Sequence, residues 1–236
     1  MKVNNYTLKK CFMADGGGGL LGFNPQKVDD CELNVANDFT HLLNILNSGL
    51  SDFIRATSQS WYAQEAVDFF NNIVKIELNN LYNSCENSST LISNKIIDAG
   101  NRWAEVTKSD WHVGYVQGGS FDFEISMTDI VPMDSLGRIG IVYERFITLS
   151  GKLENLKKDS ASVFTDMRVH VSDSGFIGGD QQNYIDGLIN EISEVLNGTL
   201  DRIIEKITEV LNNGKTDYLD AAKINAASFK NGQESF

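Results

Sequence analysis

The 236-residue chain is 42% hydrophobic and 22% charged, with a formal net charge of −12 and a sequence pI near 4.6. Such a composition can bury a core, but it lacks the clustered lysine and arginine that nucleic acid or an anionic membrane surface requires, and both halves of the chain are acidic. No run approaches the ~18 apolar residues of a membrane span. The three cysteines, Cys11, Cys31 and Cys85, have neither metal spacing nor the look of a disulfide framework, and read as small apolar fillers.

Residues 1–23 read as a flexible leader. They contain no apolar core of the length a cleaved secretory signal needs. The GGGG run at 16–19 is not followed by Gly-Lys-Ser/Thr, so it is a linker rather than a phosphate loop. The first helical unit is predicted over 24–107. Asn24 is placed to cap a helix and Pro25 fits its first position. The apolar or small stripe then runs Val28, Cys31, Val35, Phe39, Leu42, Leu46, Leu50, Phe53, Ala56, in steps of three and four that share one helical face.

The stripe dissolves at ATSQS (56–60), and the turn Trp61-Tyr62-Ala63 follows. A second long helix is predicted beyond it, with Ala66, Phe70, Ile73, Leu78, Leu81, Cys85, Ser88, Ile92, Ile96, Ala99 and Trp103 on its stripe. Residues 108–131 change period. WHVGYV, QGGS and FDFEISM alternate around a Gly-Gly pair and predict a small β-hairpin insertion.

The second helical unit is predicted over 132–213, starting at Pro132, the only other proline. Phe146 lies 107 residues after Phe39, and Val142, Leu149 and Leu153 keep the same offset from Val35, Leu42 and Leu46, which suggests an internal duplication. The turn Phe176-Ile177-Gly178 repeats the aromatic–x–small pattern 115 residues after Trp61, so this reading gives the second bend about eight more residues. A further aromatic follows each turn by eight residues, Phe69 and Tyr184. The residues from 214 to 236 read as a polar tail, weakly helical at best.

The two turns and their flanking stripes resemble the WXG100 superfamily, the early-secreted-antigen-like helical hairpins associated with type VII secretion. In that family a proline near the start of helix one, a Trp-x-Gly turn, then an alanine and a phenylalanine on helix two recur. Here Pro25, Trp61, Ala63, Ala66 and Phe69 or Phe70 fall on those places, and Pro132, Phe176, Gly178 and Tyr184 do so again. Ala63 replaces the glycine in the first turn, and Phe176 replaces the tryptophan in the second. The family's Tyr-x-x-x-Asp/Glu export signal has only partial counterparts, Tyr82…Glu86 in mid-helix and Tyr218, which is followed by Ala222.

The resemblance implies a mainly α fold of two tandem antiparallel αα-hairpins, paired within one chain as a four-helix pseudo-dimer or between chains as a homo-oligomer. It implies a protein of a Gram-positive bacterium, without cofactor or catalytic residues. Such a protein is cytoplasmic before export, then secreted by a non-Sec route or held at the cell surface, and recognises a helical-hairpin partner or the secretion machinery. The residues themselves suggest no enzyme: His41, His112 and His170 have no partner at metal-ligand spacing, and no Ser–His–Asp or Cys–His set is suggested. The alternative readings are a phage or mobile-element structural or assembly protein, and a cytosolic adaptor or immunity-type protein.

Overall fold

The computed structural model describes residues 21–116, 129–177 and 181–233. The chain is mainly helical, with four long helices and short antiparallel strand pairs. In order these are β1 (Gly22–Phe23), α1 (Pro25–Ser58), β2 (Trp61–Tyr62), α2 (Gln64–Phe69), a π-helical segment (Phe70–Val74), α3 (Lys75–Thr107), β3 (Gly140–Ile141), α4 (Tyr143–Phe146), α5 (Leu149–Ser172), β4 (Phe176–Ile177) and α6 (Gln181–Gln233). The fold divides into two compact units. The first takes its described residues from 1–44, 82–122 and 159–195, and the second from 45–81, 123–158 and 196–236.

Helix α1 begins where the sequence predicts. The Asn24 side chain accepts the Lys27 N–H at 3.3 Å, its carbonyl accepts the Val28 N–H, and Pro25 opens the helix without a donor to waste. The predicted stripe is buried from Val28, Cys31, Val35, Phe39 and Leu42 in the first unit to Leu46, Leu50 and Phe53 in the second, and only its last member, Ala56, is half-buried.

The helix after the first turn departs from the predicted stripe at Ser88, Ala99 and Trp103, which are half-buried, and again near its start. Val74 is buried and Ile73 only half-buried. Ala66, Phe70, Val74 and Leu78 are all buried, in three successive steps of four. Such steps overrun a 3.6-residue turn by more than a full residue, and the π-helical segment at Phe70–Val74 absorbs the excess.

The predicted helix start at Pro132 is not where the second half begins. Residues 131–142 form turns and extended chain, and helix appears only from Tyr143. Asp134 is the cause. Its carboxylate accepts the backbone N–H groups of Leu136 and Arg138 at 2.9 and 2.8 Å and the Arg138 guanidinium at 2.7 Å. A side chain that captures those N–H groups closes a turn in competition with a helix, and Gly137 completes the turn at φ +74°. A helix running from Pro132 would put Leu136 and Ile139 on the apolar stripe that reaches Phe146, and they are instead 74% and 65% exposed.

The turns, taken as fixed points, give a different register for the duplication. At an offset of 114, Val35, Phe39, Leu42, Leu46, Leu50, Phe53, Thr57 and Ser60 correspond to Leu149, Leu153, Leu156, Ser160, Phe164, Met167, Val171 and Ser174, and all sixteen are buried. The second bend is then one residue longer rather than eight. Ser160 stands where α1 has Leu46, and its hydroxyl is buried without a hydrogen-bond partner. Ser160→Ala is therefore expected to raise stability by about 1 kcal/mol, measured by urea unfolding, because it removes a desolvated and unsatisfied group.

Two other expectations meet the structure differently. Residues 214–233 continue α6 rather than forming a weakly helical tail. Between Gly214 and Gly232 the sequence has no glycine or proline and four alanines, so helix propensity carries it with no buried side chain beyond Ile207 among the described residues. In the predicted β-hairpin, the arm Trp111–Val116 contains no strand, and the other arm, 121–127, lies outside the described residues.

Candidate functional site at the two aromatic turns

The first turn belongs to the second unit. Trp61 is 3% exposed and lies at the centre of a ring cluster, 5.3 Å edge-on to Phe146 and 5.9 Å from Phe69. Phe69 meets Phe70 edge-on at 5.3 Å, and Phe70 stacks on Phe53 at 5.8 Å. Ala63 precedes α2 in an extended conformation (φ −159°) and is buried, as is Ala66 one turn on. Extended backbone suits any residue, so alanine stands at this position without strain. Main-chain pairing completes the turn: β2 pairs antiparallel with β3 (Trp61 opposite Ile141, Tyr62 opposite Gly140), and the Val142 N–H donates to the Ser60 carbonyl at 2.7 Å.

The second turn, in the first unit, uses the same device. Strand β4 pairs antiparallel with β1, Phe176 opposite Phe23 and Ile177 opposite Gly22, and the Asn24 N–H donates to the Gly175 carbonyl at 2.9 Å. Phe176 is buried at 7% exposure, whereas Tyr184 is 56% exposed and does not reproduce the packing of Phe69. Gly178 lies outside the described residues. In both units a two-residue strand just ahead of a helix thus pairs with a two-residue strand at a helix–helix turn. The sequence reading missed both pairings; the only signal is a Gly-apolar dipeptide ahead of each helix, Gly22-Phe23 and Gly140-Ile141.

The first unit holds another feature the sequence reading missed. After α3 the chain reverses through Lys108 at φ +56°, and Trp111–Val116 runs back along the helix. Asn101 accepts the Val113 N–H at 3.1 Å and donates to its carbonyl at 2.9 Å. Asn94 does the same for Val116, at 2.9 and 3.1 Å. Trp111 anchors the strap: its indole N–H donates to Asp29 at 3.1 Å, its ring lies 5.5 Å from Phe23, and Gly100 leaves room for it, since a Cβ there would come within 2.4 Å. The Tyr115 hydroxyl donates to Asp98 at 3.0 Å. The signal available in the sequence was asparagine at heptad spacing, Asn80, Asn87, Asn94 and Asn101.

Comparison of the chain with protein-family models, with curated proteins and with solved structures gives no significant match. The geometry alone therefore bears on what these elements do.

The titratable groups are arranged for structure. Among the described residues no cluster of three or more His, Cys, Asp or Glu can hold a metal ion. His41 and His112 are exposed. His170 meets one carboxylate, its Nδ1 lying 2.7 Å from Asp38 Oδ2. Burial raises the Asp38 carboxyl above the usual carboxylate range, and the His170 contact works against that shift. Burial also pushes the Cys31 and Cys85 thiols up to about 12, with Glu32, Asp173 and Asp38 adding to the shift at Cys31. The folded state thus holds both thiols protonated, and on their account it loses stability as pH climbs from the unfolded thiol range near 8.5 toward about 12. Both thiols are expected to resist a thiol reagent at pH 8 until the chain is unfolded, when both react; native-state labelling with mass readout checks this.

Proposed function

We propose that the chain is a non-enzymatic, WXG-like protein associated with type VII secretion, built of two tandem αα-hairpins that pair within one chain. It is either an exported substrate or the helical partner that carries one, and it works by helix-face recognition. The observation that carries the reading is the repeated clasp at the two aromatic turns. The strand ahead of the first hairpin pairs with the turn of the second, and the strand ahead of the second pairs with the turn of the first. Contacts across each turn support the hairpins themselves: Phe53 stacks on Phe70 around the first, and Arg168 reaches Asp186 at 3.5 Å around the second.

On this reading each turn is spent on the chain's own fold, because Trp61 and Phe176 are buried. Recognition falls to helix faces. The α6 extension past Ile207 offers Tyr218, Leu219 and Ile224, between 37% and 65% exposed. Among the described residues no helix is long and apolar enough to cross a membrane. The test is export. The tagged protein is expected in the culture supernatant of its host, and absent when the secretion ATPase is deleted. Retention in both strains, with a known substrate exported in parallel, would turn the reading toward an adaptor or an assembly protein.

A further inference from the structure

The face of α3 beneath the strap binds main chain. Asn94 and Asn101 each satisfy both the N–H and the C=O of one strap residue, so any residue except proline could stand at Val113 or Val116. The spacing fits this use. Seven helical residues rise about 10.5 Å, and three extended residues span about 10 Å, so asparagines a heptad apart meet every third residue of an extended chain. The strap is lightly held for an intramolecular segment. Every residue from Trp111 to Val116 is exposed or half-buried; Trp111 packs into the fold, and the largely exposed Tyr115 adds its hydroxyl bond to Asp98. The same face continues beyond it. Asn87, exposed and one heptad before Asn94, lines a groove of about 280 Å³ whose apolar wall is made by Leu91, Ile92, Ile192 and Val195.

We propose that this face of α3 is a receptor for an extended polypeptide, filled in cis by the strap, and that an extended segment of a partner protein takes the strap's place on Asn94 and Asn101. The groove beside Asn87 then accepts an apolar side chain of that segment. This site is independent of the export reading and is tested separately from it.

The probe is a labelled peptide with the strap's own sequence, Ser-Asp-Trp-His-Val-Gly-Tyr-Val, titrated into the full chain by fluorescence anisotropy. Trp111→Ala frees the strap and is expected to bind the peptide at least tenfold more tightly than the unaltered chain. Adding Asn94→Ala and Asn101→Ala is expected to remove that gain. Where Trp111→Ala lowers the helical circular dichroism signal, Val113→Pro takes its place, since it removes the N–H that Asn101 accepts and fixes the strap's φ at that point without touching α3. Equal binding by the strap-released and unaltered chains, or binding that survives loss of both asparagines, would overturn the proposal.

Discussion

Trp61→Ala is expected to cost about 3–5 kcal/mol of folding stability. The indole is 3% exposed, and its rings touch Phe69 and Phe146 at 5.9 and 5.3 Å. Truncation removes a large buried apolar area, leaves a cavity between rings that cannot close on one another, and forfeits the edge-to-face contact with Phe146. It also loosens the turn, because Trp61 is paired through its main chain with Ile141. A natural domain is stable by about 5–15 kcal/mol, so this one change takes roughly a fifth or more of the total. Thermal unfolding followed at 222 nm should fall by roughly 6–20 °C. Tyr62→Ala, the half-buried neighbour, is the control and is expected to cost under about 1 kcal/mol. A Trp61→Ala cost as small as that of the control would mean the five-ring cluster does not hold the turn.

The sequence showed the α1 core because its information there is redundant. Asn24 and Pro25 mark the start, and eight apolar positions keep one helical face, so a single misleading residue changes little. The same periodicity misled the reading of the duplication. Offsets of 107 and 114 differ by seven residues, two helical turns, and a stripe shifted by a heptad still faces the core. Only a fixed point such as a turn can choose between them. The prolines were taken as that fixed point, yet Pro132 stands in a loop closed by Asp134.

Of the candidate site, Trp61, Ala63, Ala66, Phe69, Phe70 and Phe176 are all buried at or beside the turns, as small and aromatic residues at a helix–helix bend suggest. Tyr184 was chosen by its eight-residue spacing from Phe176, and spacing alone does not bury a side chain. Ile185 beside it is the buried residue, matching Phe70 at the offset of 115 that relates the turns. The strand clasps and the strap could not be read at all. Two-residue strands carry too little alternation to detect, and an asparagine that binds main chain looks in sequence like any polar helix-surface residue. Four asparagines in heptad register were visible, but only the extended segment lying against Asn94 and Asn101 gives the pattern a meaning.

Gly175→Ala is expected to cost about 2–5 kcal/mol, the sum of two separate penalties. The first is local: Gly175 has φ +78°, a left-handed conformation that costs an L-residue about 1–2 kcal/mol. The second is packing. A Cβ at this position would come within 2.5 Å of Lys27 Cβ and 3.0 Å of the Asn24 carbonyl. Neither atom is the free end of a side chain, so the start of α1 must move away, stretching the 2.9 Å bond from the Asn24 N–H to the Gly175 carbonyl. Relief of such an overlap costs about 1–3 kcal/mol. Gly137→Ala separates the terms, because Gly137 has a similar φ of +74° with nothing within 4 Å of its Cβ position. That variant should lose only the conformational part, about 1–2 kcal/mol. The corresponding carbonyl at the other turn comes from Ser60, a buried residue without positive φ, so the glycine is required by the approach of Asn24 and Lys27 and not by the clasp itself. Equal losses at Gly175 and Gly137 in urea unfolding would mean that the strand ahead of α1 is not packed against the second turn.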